Sequence, residues 1–239
     1  MAIFSYHLVE TTSLTTARAL WNPPTKHQVA GLHHAECTAT MTLGSPILSP
    51  ARFHLRHLAV FAAWENEQAL DDFLTNSQLG NTLSAGWHVR LELIRRWGQF
   101  SEFDDLQVSD NKAENDQPVV AVTLARLKLP QLFRFIRWGR PVERQVRDHP
   151  AAKLALASMR PLGTFSTFSI WRSQREMAEM VHGKGASAEN DQHARAMTER
   201  ERKDFHYQFT TLRFRALAEY GEWLGQSSIV PNLAKNLNS

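Results

Sequence analysis

Two stretches of this sequence combine residue types that do chemistry with a spacing that repeats. In "GWHVRLELIRRWG", residues 86–98, Trp87 precedes His88 and an alternating run ends in Arg95. In "DFHYQFTTLRFRA", residues 204–216, Phe205 precedes His206 and the run ends in Arg213. An imidazole can move a proton or bind a metal, and a guanidinium can hold a carboxylate through paired hydrogen bonds. A residue repeated in this way is explained as well by shared strand packing as by chemistry. His33, His34, Glu36 and Cys37 have the composition of a metal site, but neighbours on a strand point to opposite faces, so the four do not converge on one ion. His54 and His57 share that fault. The sequence has no Gly-rich phosphate loop, no CxxC pair and no nucleophile elbow, so a hydrolase or nucleotide-binding enzyme has no support.

The elements that must position these residues also repeat, in the same order. "AAWENEQALDDFL" (62–74) matches "SIWRSQREMAEMV" (169–181) without a gap. Trp64 answers to Trp171, Leu70 to Met177 and Phe73 to Met180. Apolar residues fall at i, i+3 and i+4 in both, which predicts helices with one buried face. Strand-like segments precede and follow each helix, and further helical patterns lie around Ala17–Trp21 and Leu132–Val146. Each half thus reads β-α-β-β-α-β, and the predicted class is α+β: two tandem ferredoxin-like repeats forming an α+β barrel. The expected boundaries are a first repeat over 1–100, a polar acidic linker over 101–118 running outside, a second repeat over 119–225, and a C-terminal tail over 226–239. Along the final strand of the first repeat, Trp87, Val89, Leu91 and Leu93 alternate with His88, Arg90, Glu92 and Ile94. The first set is expected to face the helices and the second a lined central cavity. A plain solvent-facing sheet fits the alternation too.

A chain of 239 residues, 43% of them hydrophobic, can bury a real core, so wholesale disorder is unexpected. The single cysteine, Cys37, excludes an internal disulfide and a thiolate metal cluster. The opening residues lack a signal-peptide pattern and no stretch approaches the ~20 apolar residues of a spanning helix, so the expected location is cytoplasmic. A net charge of +3 is too small to argue for nucleic acid. Positive charge nonetheless gathers between Arg126 and Arg147, where Lys128, Arg134, Arg137, Arg140 and Arg144 face only Glu143. Two readings fit that run: the solvated face of an amphipathic helix, or a patch that meets nucleic acid or makes peripheral contact with acidic membrane lipid.

The C-terminal third resembles the spheroidene monooxygenase family of acyclic carotenoid oxygenases. The residues that carry the resemblance are Trp171-Arg172-Ser173, then Arg213-Phe214-Arg215-x-Leu217, then Gly221-x-Trp223-x-Gly225. The resemblance implies a two-repeat α+β barrel and a haem b-dependent monooxygenase taking a small apolar substrate. "HHAECTATMTLGSPILSP" in the first half has no match in those enzymes, which leaves the carotenoid substrate open. A haem iron needs an axial ligand, commonly histidine. The "HGKGASAENDQ" insertion brings His182 and His193, neither with a counterpart in the first half. His182, beside Gly183, reads as a helix C-terminal residue, whereas His193 starts a helical run and is the expected iron ligand. Arg213 is the expected partner of a haem propionate. His206 and Gln208 are the expected catalytic residues, with His206 the alternative ligand. Two rivals stay open: a cofactor-free barrel that oxidises or binds a small hydrophobic molecule, and a non-catalytic protein that docks through its basic helix.

Overall fold

Eight antiparallel strands close into a barrel in the order β1-β3-β2-β6-β7-β5-β8-β4, with β4 returning to β1. The strands are β1 (Ile3–Glu10), β2 (Leu32–Met41), β3 (Phe53–Trp64), β4 (Trp87–Gln99), β5 (Val119–Leu127), β6 (Ala152–Met159), β7 (Thr164–Trp171) and β8 (His206–Tyr220). This computed structural model describes residues 2–44, 53–111, 114–128, 130, 143–161, 163–182 and 206–233. The first four strands lie in the spatial order β4-β1-β3-β2 and the last four in the matching order β8-β5-β7-β6. Two seams join the halves. One is short, from Ala39–Met159 to Met41–Ala157; the other is long, from His88–Tyr220 to Gln99–Phe209. Closure leaves neither half with an unpaired sheet edge, which is what an antiparallel sheet otherwise has to guard.

Helices α1 (Ser13–Trp21), α2 (Glu67–Asn76) and α3 (Gln78–Ser84) cover the outside of the first half. Their starts are capped by Thr12, Asn66 and Ser77, each accepting a backbone N–H from three residues on. Helix α4 (Gln174–His182) lies on the second half. There Ser173 Oγ accepts from Glu176 N while its hydroxyl donates to the Glu176 carboxylate, a cap that fits the Ser-x-x-Glu spacing. Met177 and Met180 of α4 pack on Val119 and Trp171. Residues 143–147 are helical; the rest of the run expected over 132–146, with Arg134, Arg137 and Arg140, lies outside the described residues. Arg144 and Arg147 donate to the carbonyls of Gly44 and Leu43, so these two are anchored rather than simply solvated. Among the described residues no helix is long and apolar enough to cross a membrane.

The two faces of β4 are used in the opposite sense to that expected. Trp87, Val89, Leu91 and Leu93 point into the barrel, where they join Phe4, Tyr6, Phe61, Phe168 and Phe214 in the largest core cluster. His88 and Arg90 lie outside, Arg90 bonded to Glu67 and Asp71 of α2. The barrel centre is a packed core in place of the expected cavity. Phe4, Phe61, Phe103 and Phe214 stand 5.0 to 5.9 Å apart between ring centroids. A closed barrel has the drier interior, so the larger apolar residues fill it and the mixed face meets the helices.

The segment after β4 and the C-terminal turn after β8 both enter this core. Phe100 and Phe103 are fully buried in it, so the segment after β4 does not run wholly outside. Trp223, Ile229 and Val230 join from the C-terminal side, and the expected tail is thereby packed in part. The Glu219 carboxylate holds that turn by accepting from Ile229 N, Val230 N and Trp87 Nε1 at 2.7–3.0 Å.

Candidate functional site

Strand β8 sorts the expected site residues onto different faces. Leu212 and Phe214 point inward, so Thr211 and Arg213 point outward, towards the side that α4 covers. Arg213 lies opposite Ala121 of β5 and Arg95 of β4; Thr211 lies opposite Thr123 and Trp97. The guanidinium carbons of Arg95 and Arg213 sit 4.3 and 4.4 Å from the centroid of the Trp97 ring. Cation–π attraction holds each in place. Neither arginine has a carboxylate partner among the described residues. Burial, and then the like charge of Arg95, push the Arg213 pKa down to about 10. It is still protonated at neutral pH, and it shares one aromatic ring with a second, exposed cation, with no anion beside either among the described residues. That arrangement attracts a planar group bearing carboxylates. Thr123 and Thr211, their hydroxyls 3.4 Å apart, extend the polar floor beside it.

His206 begins β8. A bulge pairs it with Leu127 and sets its buried ring 5.0 Å from Phe209. Seven residues separate it from Arg213, roughly 20 Å along a strand. It therefore stands at the far end of the surface from the arginines. His193 lies outside the described residues, in the chain that joins α4 to β8. Gln208 is elsewhere: it faces inward and accepts from Arg126 Nη1 at 2.5 Å, so the structure separates it from His206.

That inward cluster forms a second polar site at the barrel mouth. His34 and Glu36, two apart on β2, share the inner face, whereas Cys37 packs outward in the α1–α3 layer. The Glu36 carboxylate, with 1% of its side chain exposed, meets His34 Nε2 at 3.0 Å, Arg160 at 3.1 Å and Arg126 at 3.4 Å. Burial alone would raise its pKa. The His34 hydrogen bond and the Arg160 charge outweigh that and hold it below the usual carboxylate range. Arg126 also binds both oxygens of Glu102, at 2.5 and 3.2 Å, and lies 4.4 Å over the Phe100 ring. The i, i+2 spacing of His34 and Glu36 was the signal for this cluster, obscured by grouping them with His33 and Cys37. Arg126 sits at the end of β5, not on the basic helix, and Glu102 was hidden in an apparently featureless linker. Among the described residues no group of three or more His, Cys, Asp or Glu could hold a metal ion.

No family model matches the sequence, and no curated protein matches it. Solved structures do align along most of the chain. An aldoxime dehydratase bound to butyraldoxime is 9% identical over 90% of this chain and 79% of its own, with a TM-score of 0.47. A candidate monooxygenase from Fusobacterium nucleatum is 10% identical over 92% of this chain and 94% of its own, at 0.37. A haem-degrading enzyme from Listeria monocytogenes is 8% identical over 87% and 98%, at 0.28. Likeness at this level concerns the course of the chain and carries no chemistry.

Proposed function

We propose that this protein is a haem-dependent monooxygenase of the spheroidene monooxygenase type, with haem b on the outward face of the long β4–β8 seam and an apolar substrate beside it. One observation carries the proposal: Arg95 and Arg213 flank Trp97 with no counter-ion among the described residues. Haem is planar and carries two carboxylates, and those residues suit both features. The packed aromatic centre of the barrel does not suit it, which moves the site outward from the cavity expected from sequence. When bound, haem supplies the iron on which dioxygen is activated.

This chain's own residues then have distinct tasks. Arg95 and Arg213 bind the carboxylates and relieve their own repulsion. Trp97 supplies a flat apolar wall. His193 is the proposed iron ligand, and His206, buried against Phe209, is the proposed hydrogen-bond donor. Gln208 takes no catalytic part, because it is committed to Arg126 and Ser101 inside the barrel. The two halves are proposed as copies of one ferredoxin-like unit (1–100 and 119–225), with the ligand site at the long seam between them.

Titration of the purified protein with haem tests this. A Soret band saturating near one equivalent is expected, lost in His193→Ala and retained in His206→Ala. A protein that stays colourless at stoichiometric haem overturns the proposal; loss of the band in His206→Ala alone reverses the two roles.

A further inference from the structure

We propose that the barrel mouth is a binding site for an aromatic carboxylate, occupied in the present structure by the chain's own Phe100-Ser101-Glu102-Phe103. Several observations point to such a ligand. Two guanidiniums, Arg126 and Arg160, face one deeply buried carboxylate, Glu36, which leaves one positive charge over. Glu102 neutralises it with both oxygens on Arg126, the geometry in which a guanidinium holds a free carboxylate. The next residue supplies a ring. Phe103 stands 5.3 Å from His34, 5.5 Å from Phe61, 5.5 Å from Phe100 and 5.9 Å from Phe4, enclosed by aromatic groups. Carboxylate and ring thus come from adjacent residues and fill adjacent subsites, one cationic and one aromatic.

The segment is held there by polar bonds. Ser101 Oγ accepts from Gln208 Nε2, and Arg96 donates to the carbonyls of Phe103 and Leu106. Deeper on the same inner wall, Ser166 Oγ is buried without a hydrogen-bond partner among the described residues. The wall therefore has polar capacity that the segment leaves unused. The site lies on the opposite face of the sheet from Arg213 and is independent of any cofactor there.

The probe is 2-naphthoate, with naphthalene-2-carboxamide as its uncharged match, and binding is read by calorimetry on the full chain. Glu102→Gln with Phe103→Ala vacates both subsites and should bind 2-naphthoate at least tenfold tighter than the unmodified protein. The carboxamide should gain no more than about a third of that factor. Adding Arg126→Met should abolish the gain; adding Arg213→Ala should leave it unchanged, which separates this site from the outward face. If the double variant does not fold, Glu102→Gln alone removes only a half-buried charge and should still raise affinity at least threefold. No gain in a folded variant, equal gain for the carboxamide, or a gain that follows Arg213 in place of Arg126 each overturns the proposal.

Discussion

Two stretches of the outward face along the long β4–β8 seam treat their cationic side chains differently. On the first, His7, His88 and Tyr220 form a stack with centroids 4.9 and 4.7 Å apart, and Arg90 lies 4.9 Å over Tyr220. Arg90 then reaches Glu67 and Asp71 on α2, so its charge is answered within the fold. His88, pushed down to about 4 by burial and then by Arg90, stays neutral at physiological pH. On the second, Arg95 and Arg213 share Trp97 and meet no acid among the described residues. A face whose charges are satisfied internally contributes to stability. A face that leaves them unanswered forgoes that contribution and keeps its cations available. The barrel mouth, with Glu36 and Glu102 set against Arg126 and Arg160, belongs to the first kind for as long as Glu102 is in place.

Substitutions should separate the two kinds by size of effect. The largest is expected at Glu36. Glu36→Ala leaves Arg126 and Arg160 without their buried partner and should lower unfolding stability by about 3 kcal/mol, measured by urea denaturation. The same carboxylate makes the mouth acid-sensitive. Its pKa is depressed in the folded state, so its stabilisation is full above the unfolded value near ~4.3 and is lost as pH falls through the lower folded value. Glu36→Gln should flatten the acid limb of the stability–pH curve; an unchanged limb would mean that other carboxylates set it. Arg90→Ala should cost about 1–2 kcal/mol, because it opens the stack and strips Glu67 and Asp71 of their partner. Arg213→Ala should change stability by no more than ~0.5 kcal/mol, since it also removes a repulsion with Arg95. If Arg213→Ala proves as damaging as Arg90→Ala, the contrast between the faces fails.

Periodicity marked the strands and the helices near Ala17–Trp21, Glu67–Asn76 and Gln174–His182, because apolar spacing differs between the two kinds of element. It did not tell inside from outside. The alternation of Trp87, Val89, Leu91 and Leu93 with His88, Arg90 and Glu92 marks two faces, and only closure of the barrel shows that the first set is interior. Arg213 was legible as a strand cation, although it stands in the middle of β8 and not at its end. Its partners Trp97 and Arg95 were not, because Ile94 is skipped in the pairing of β4 with β8, and this shift decides which β4 residues face Arg213. Glu102 and Phe103 were illegible for another reason. Their contacts with Arg126, His34 and Phe4 span many residues of sequence, and a polar, acidic stretch with one ring has the composition of any linker.

The most direct test compares haem affinity, by Soret absorbance and by quenching of tryptophan fluorescence, in the unmodified protein, in Arg95→Ala/Arg213→Ala and in Arg90→Ala. The unanswered pair should be the binding determinant. The double variant is expected to lose at least a hundredfold in affinity while keeping its circular dichroism spectrum, and Arg90→Ala to bind as the unmodified protein does. Equal affinity in all three, or a loss confined to Arg90→Ala, would contradict the assignment of the ligand site to Arg95, Trp97 and Arg213.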